Sequence, residues 1–336
     1  MFRAIVVEQQ DSSDTAVPNR ASLVERDEPD RSHGDVVVAV EYSSVNYKDA
    51  LALAGRPGIV RRPPLVAGID LVGTVEYADG AAAERFDSGD RVVLNGAGLG
   101  ERVDGGLAER ARVDSASLLR LPGAISSARA GAIGTAGFTA MLAVLALEKH
   151  GLRPGGGPVL VTGAAGGVGS IAVALLARLG HEVVASSGRS VEQGDFLRRL
   201  GAAEVVDRAG LQDAGKPLQS ERWAGAVDSV GSHTLANVLA QTRWGGAVAA
   251  CGLAQGADLP TTVMPFILRG VTLAGVNSVE APRKLREEAW RRLAHDLDLE
   301  LLDELTTTVS LSGALDIAED VLAGTVRGRT LVDVRA

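Results

Sequence analysis

The chain has 336 residues, natural for two domains, with 46% apolar and 23% charged residues, ample core material for a soluble protein. A net charge of −8 argues against a nucleic-acid backbone as the main partner, and no uninterrupted apolar run is expected to reach the length of a membrane span. One cysteine, Cys251, leaves no internal disulfide and, with an N-terminus that opens a strand and shows no signal peptide, points to the cytoplasm.

The first part of the chain is β-rich. Residues 3–8, 36–42, 70–76 and 91–94 alternate or run apolar between Gly, Asp and Pro turns and predict strands. From Ser127 the pattern changes. Residues 128–132 and 135–147 predict helices, and strands at 159–162, 182–186, 204–206, 225–228, 246–250 and 272–275 then alternate with helices. Six strands with helical crossovers predict a doubly wound parallel sheet. Residues 283–297 predict a further helix, and 306–310 and 330–334 return to strand. The tail is expected to pair with the N-terminal β-rich domain. The expected division is therefore α/β, with a β-rich domain of 1–127 and 295–336 and an inserted Rossmann domain of 128–294. Aromatics are only 3%, so Val, Leu and Ala must build the cores.

The run Val159-Leu160-Val161-Thr162-Gly163-Ala164-Ala165-Gly166-Gly167-Val168-Gly169-Ser170 carries the strongest chemical signal. It reads as a buried strand, a glycine-rich turn and a helix with the apolar stripe Ile171, Ala172, Leu175, Leu176 and Leu179. Backbone without bulky side chains can close on a pyrophosphate, whose charge a helix N-terminus favours. Ala165, Gly166, Gly167 and Val168 are the residues expected to present that backbone. Ala164 departs from G-x-G-x-x-G, and a bare glycine turn occurs in many α/β proteins, but strand, turn, helix and strand follow in the order the mechanism needs. Arg189 lies 20 residues past Gly169, where an NAD site places a carboxylate for the ribose 2′-hydroxyl. A cation there suits a 2′-phosphate. Ser187, Gly188 and Arg189 are thus predicted to hold that phosphate, and the cofactor is predicted to be NADP(H).

No metal site is expected. His33, His150, His181, His233 and His295 are scattered without a partner at ligand spacing, and each reads as a surface or turn residue.

Other segments carry a resemblance: Ser43-Ser44-Val45-Asn46-Tyr47-Lys48-Asp49-Ala50-Leu51, Gly68-Ile69-Asp70 and Ile133-Gly134-Thr135-Ala136-Gly137-Phe138-Thr139-Ala140-Met141. So do Trp223-Ala224-Gly225-Ala226-Val227-Asp228, Leu259-Pro260-Thr261-Thr262-Val263-Met264-Pro265-Phe266-Ile267-Leu268-Arg269 and Gly328-Arg329-Thr330-Leu331-Val332. The chain resembles the medium-chain dehydrogenase/reductase superfamily, in its quinone-oxidoreductase branch, and within that the NADPH-dependent acryloyl-CoA reductases. The resemblance implies a GroES-like catalytic domain for the β-rich part and a homodimer. The zinc enzymes of this superfamily carry a Cys after a strand and a Gly-His-Glu further on. Here Ser44 to Asp49 and Gly68-Ile69-Asp70 stand in those places, with no zinc ligand set.

The resemblance also implies that Tyr47, in a loop after a strand, contacts the nicotinamide end, with a packing tyrosine as the alternative. Asn46 either donates to a substrate carbonyl or fixes the loop. Asp49 and Asp70 read as structural hydrogen-bonding acids, and Lys48 as a solvated or ion-paired lysine. By resemblance Arg208 is a second cation on the 2′-phosphate, and Leu253, Ile267 and Ser278 line the nicotinamide half. Arg329 would touch a cofactor phosphate or the acyl-CoA, or be a plain surface arginine. Cys251 reads as a buried, inert thiol.

The implied reaction is hydride transfer from NADPH to the activated double bond of an enoyl thioester, acryloyl-CoA to propionyl-CoA. Tyr47 or water supplies the proton. An NADPH:quinone or enone reductase is the alternative with the same donor. A catalytically silent nucleotide- or RNA-binding protein is the alternative of another class, and the acidic balance speaks against it. Membranes and nucleic acid are not expected partners.

Overall fold

The computed structural model describes residues 1–10, 19–30 and 34–336, and His33 lies outside the described residues. The chain forms two compact units: Met1–Thr135, Ser278–Ala294 and Leu302–Ala336 make the first, Ala136–Asn277 and His295–Leu301 the second.

In the first unit, Phe2–Gln9 pairs antiparallel with Asn19–Arg26 and Leu65–Val66. A larger sheet runs in the order Thr306–Ser310, Arg329–Asp333, Val36–Val45, Asp70–Ala78, Arg91–Asn95, Leu119–Arg120, and Arg110–Val113 pairs with Val36–Val45. The tail does return to this sheet, with Thr330 opposite Val45 and Leu331 opposite Ser44. Alternation puts Val36, Val38 and Val40 into a core with Leu71, Val92, Leu94 and Val332, nearly all aliphatic.

The segment Ser278–Ala294 belongs to this unit, which corrects the expected boundary. Arg286, 2% exposed, donates to the carbonyls of Asn95 at 2.7 Å, Val279 at 2.7 Å, Ala281 at 2.8 Å and Ser278 at 3.2 Å, and the Trp290 indole donates to Asn95 Oδ1 at 3.1 Å. Helical periodicity predicted the Arg283–Asp296 helix but not the core it packs on.

The helix Ser127–Lys149 breaks at Gly134 (φ 48°, ψ −161°), between the two helices predicted from sequence. Such angles are open almost only to glycine. A Cβ there would lie 2.7 Å from Arg329 Nη2, Asp70 Oδ2 and Ser44 Oγ. Gly134→Ala is therefore expected to lower stability by about 1–3 kcal/mol, read as a shift in urea midpoint at constant slope. By length and composition this helix could cross a membrane, which corrects the expectation that no run is long enough; 83% of its apolar window is buried inside the protein, as in a core helix.

The second unit holds six parallel strands in the order Glu204–Asp207, Val183–Ser187, Val159–Val161, Trp223–Asp228, Thr242–Ala250, Thr272–Gly275. Helices cover the sheet, so its strands read as continuous apolar runs, and Leu160, Val184, Ala226 and Val248 meet in one core. Thr242–Ala250 starts earlier than expected because Arg243, Trp244, Gly245 and Gly246 hide the strand pattern, beside a register shift between Trp223 and Gly225. Because all six strands are parallel, the turns that follow them lie at one end of the sheet. The order reverses beside Val159–Val161, where doubly wound sheets bind nucleotides.

Candidate active site

Four turns of the second unit meet at that end. The first follows Val161. Its positive φ falls at Gly163 (φ 59°), not at Ala164, so an alanine is tolerated at the second place of the turn. A Cβ on Gly163 would lie 2.4 Å from Ser229 Oγ, and one on Gly169 would lie 2.3 Å from Gly163 O. These two glycines close the turn against its neighbour and against the helix Gly167–Arg178. Ala165 is buried, whereas Gly166 is exposed and Gly167 and Val168 are half-buried. No side chain caps the helix, leaving its first N–H groups for an anion.

The second and third turns meet beyond the neighbouring strands. Ser187 Oγ accepts from the Arg189 N–H at 3.2 Å, keeping its own proton to donate. A Cβ on Gly188 would lie 2.5 Å from Arg208 Nε and 2.7 Å from its Cζ. Gly188 therefore lets the Arg208 guanidinium lie across the turn that carries Arg189. Two guanidinium-bearing residues and a hydroxyl so gathered suit a phosphate better than a ribose diol.

Asp228 braces the fourth turn to the first. Its Oδ1 accepts from Thr162 Oγ1 at 2.7 Å, and its Oδ2 accepts from the N–H of Gly231 at 2.8 Å and of Val230 at 3.3 Å. Ser229 adds Oγ to Thr162 O at 3.0 Å. Burial raises the Asp228 carboxyl above its usual range, against these hydrogen bonds. Burial, with Asp228 beside it, also pushes the Cys251 thiol up to about 12, and its Sγ donates to Asp228 O at 3.3 Å. A thiol so held stays protonated, in line with the inert role read from sequence.

The first unit holds a buried polar network at the C-terminal end of the Val36–Val45 strand. Asp70, 0% exposed, accepts from five donors: Ser44 Oγ at 2.6 Å, Asn46 Nδ2 at 2.7 Å, Asn95 Nδ2 at 2.7 Å, Thr135 Oγ1 at 2.7 Å and Thr135 N at 2.9 Å. The break at Gly134 is what frees the Thr135 N–H for this bond. Asn46 caps the helix Tyr47–Leu53 in a capping box with Asp49, so Tyr47 opens a helix and does not sit in a loop. The Asn46 Nδ2 donates to Asp49 Oδ2 at 2.9 Å as well as to Asp70, and its Oδ1 accepts from Arg329 Nη1 at 3.2 Å. Of its two readings, fixing the chain is the one this geometry favours, because its amide protons are engaged inside the network.

Arg329 is 2% exposed and donates to Ala132 O at 2.7 Å, Ser44 Oγ at 2.9 Å and Asn46 Oδ1 at 3.2 Å. It faces inward, which corrects the expectation of a phosphate contact or a surface position. Burial lowers its pKa and the nearby Asp70 and Asp49 oppose that. Asp49 also accepts the Ile69 N–H at 2.8 Å. Burial first, then the Asp70 charge, pushes the Asp49 carboxyl up to about 7 from 3.8, against the N–H groups of Asn46 and Ile69.

Between about 4 and about 7 the folded state thus holds a proton on Asp49 that the unfolded chain has released. Its contribution makes stability fall as pH rises through that window, with no slope outside it. Urea denaturation from pH 4.5 to 8 should show this loss in the wild type and a flatter profile in Asp49→Asn. A profile unchanged by the substitution would remove Asp49 as the titrating group.

Tyr47 is 49% exposed, and its hydroxyl has no partner among the described residues. Lys48 is ion-paired, its Nζ 2.7 Å from Glu101 Oε1. Ser278 is half-buried in the first unit. In the second unit Leu253, 62% exposed, has its Cα beside Gly231, while Ile267, 71% exposed, lies on the short helix Met264–Arg269 with Val263 and Leu268 also exposed. Sequence reasoning assigned no part to Ser44, Asn95 or Thr135. The signal available was Gly134-Thr135, a glycine and a polar residue interrupting an apolar helix.

Among the described residues no three His, Cys, Asp or Glu side chains gather as a metal site. Residues 32–123 match the alcohol dehydrogenase GroES-like domain, and residues 167–295 match the zinc-binding dehydrogenase family. The acrylyl-CoA reductase AcuI of Ruegeria pomeroyi is 49% identical over 337 residues, covering 100% of both chains. Among solved structures, the yhdH oxidoreductase of Salmonella enterica in complex with NADP is 49% identical with TM-score 0.94, and 99% of each chain is covered. Bacillus subtilis yhfP with NAD bound is 40% identical with TM-score 0.91, again with 99% of each chain covered. With a full-length match at this identity, and with both the GroES-like and the Rossmann parts in place, the chain belongs to the acrylyl-CoA reductase and quinone-oxidoreductase branch of the medium-chain dehydrogenase/reductase superfamily.

Proposed function

We propose that this protein is an NADPH-dependent reductase of activated carbon–carbon double bonds, converting acryloyl-CoA to propionyl-CoA. The observation that carries this reading is the 49% identity, over its whole length, to a relative named acrylyl-CoA reductase. When bound, NADPH supplies a hydride to the β-carbon of the thioester, and a proton completes the α-carbon. Ala165, Gly166, Gly167 and Val168 hold the pyrophosphate through backbone N–H groups. Ser187, Gly188, Arg189 and Arg208 hold the 2′-phosphate. Tyr47, Leu253, Ile267 and Ser278 are assigned to the nicotinamide end on the family resemblance. The exposure of Tyr47, whose hydroxyl has no partner among the described residues, supports it as the proton carrier, and Asn46 is a positioning residue. In the same reading the enzyme works in the cytoplasm as a homodimer, with no membrane or nucleic-acid partner. The outer edge of Thr272–Gly275 and the exposed Val263, Ile267 and Leu268 favour pairing of two copies.

A quinone acceptor is the second reading, favoured by 42% identity to the putative quinone oxidoreductase YhfP of Bacillus subtilis over 88% of this chain. Steady-state assays with NADPH on acryloyl-CoA, crotonyl-CoA, a small enone and a quinone separate the two. Acryloyl-CoA is expected to lead in kcat/KM, by about tenfold or more over crotonyl-CoA, since one methyl group in a fitted pocket is worth about 10- to 200-fold. Equal efficiency on all four acceptors would overturn the CoA-specific reading.

A further inference from the structure

Residues 54–64 connect the Tyr47–Leu53 helix to the Leu65–Val66 strand. This irregular stretch contains no acid and three arginines, Arg56, Arg61 and Arg62, all exposed. None of the three has an ion pair or side-chain hydrogen bond among the described residues. The backbone beneath them is anchored: the Arg56 N–H donates to Leu51 O at 2.9 Å and the Arg61 N–H to Glu101 O at 2.8 Å. Glu101, whose carbonyl anchors Arg61, has its carboxylate already paired with Lys48 at 2.7 Å. Three guanidinium groups within seven residues, none with a charged partner among the described residues, therefore stand out in a chain whose net charge is −8. Three positive charges on one short loop favour a multiply charged anion, which can accept forked hydrogen bonds from guanidinium groups.

The cofactor does not explain this loop, because its phosphates have their own donors in the second unit. An acyl-CoA carries a second set of phosphates, a 3′-phosphate and a pyrophosphate, a pantetheine arm away from the thioester. The loop is tied through Glu101 to Lys48, the neighbour of Tyr47, which connects it to the substrate end. Resting on the proposed acyl-CoA substrate, we propose that Arg56, Arg61 and Arg62 bind the 3′-phospho-ADP end of that substrate.

The test uses the full-length enzyme and the triple variant Arg56→Gln, Arg61→Gln, Arg62→Gln, whose exposed positions leave the core intact. Two thioesters, acryloyl-CoA and acryloyl-pantetheine, are compared with saturating NADPH. In the wild type the ratio of their kcat/KM values is expected to favour acryloyl-CoA by about 10- to 100-fold, the worth of one or two charge-assisted bonds. In the variant that ratio should collapse toward 1 through KM for acryloyl-CoA, and 3′-dephospho-CoA thioesters should fall between. Calorimetric titration of CoA into the NADP⁺-saturated protein should weaken by a similar factor. An unchanged ratio with unchanged CoA affinity overturns the assignment, as does an equal loss on both thioesters. Should the wild type reduce an enone or a quinone but no acyl-CoA, the proposed function fails, and the titration still decides the loop. CoA binding that is lost in the variant upholds the site, and no CoA binding by the wild type overturns it.

Discussion

Arg329→Leu is expected to destabilise the protein by about 3–5 kcal/mol, the cost of removing one partner from a buried set of charges. Its guanidinium reaches three residues from two separate segments, Ala132 in one and Ser44 and Asn46 in the other. It is also the cation that offsets Asp70 and Asp49 in a region closed to water. Leucine leaves two carboxylates without that charge and removes the guanidinium donors to Ala132 O and Asn46 Oδ1. The loss should therefore depend on pH. Lowering pH from 8 to 5.5 lets Asp49 take up a proton, since its folded-state pKa is about 7, so the gap between variant and wild type should narrow. Urea denaturation at both pH values measures it. Arg329→Leu combined with Asp49→Asn should recover part of the loss, because fewer charges remain uncompensated. The same deficit at both pH values, with no recovery in the double variant, would mean that Arg329 acts by packing alone.

The double variant Arg189→Ala, Arg208→Ala should lose about 2–4 kcal/mol of transition-state binding with NADPH, roughly 30- to 1,000-fold in kcat/KM, while NADH is nearly unaffected. Arg208 lies against Gly188, so the two arginines belong to one turn region and should act together. Gly188→Ala should mimic the loss of Arg208 alone, because the added Cβ displaces that guanidinium. Steady-state kinetics with both cofactors check this. An equal loss with NADPH and NADH would assign the arginines to the shared part of the dinucleotide. Cofactor choice calls for this test at residue level, since structures related to this chain hold NADP in one case and NAD in another.

The nucleotide unit was legible because its constraints are local. Strands buried on both faces must be apolar throughout, and a turn that closes on a phosphate needs residues without bulk. Hence Val159–Val161, the glycines of the turn, and the strands ending near Ser187 and Asp228 could be read in order. Tyr47 was misplaced for a local reason too. The helix it opens is seven residues long, too short for periodicity, and its signal was the pairing of Asn46 with Asp49 three places on.

Arg329, Thr135 and Ser278 could not be placed in this way. An arginine at the start of a strand looks the same whether it meets solvent or a buried carboxylate, and the carboxylate here comes from more than 250 residues earlier in the chain, at Asp70. The periodicity of 283–297 indicated a helix, but it is distant partners such as Asn95, Ser115 and Leu118 that join it to the first unit. By itself the sequence determined the glycine-rich turn, the parallel sheet and the return of the tail, since each depends on neighbours in sequence. Tertiary structure alone decided which charged side chains are buried, because burial and its compensation depend on groups brought together from distant segments.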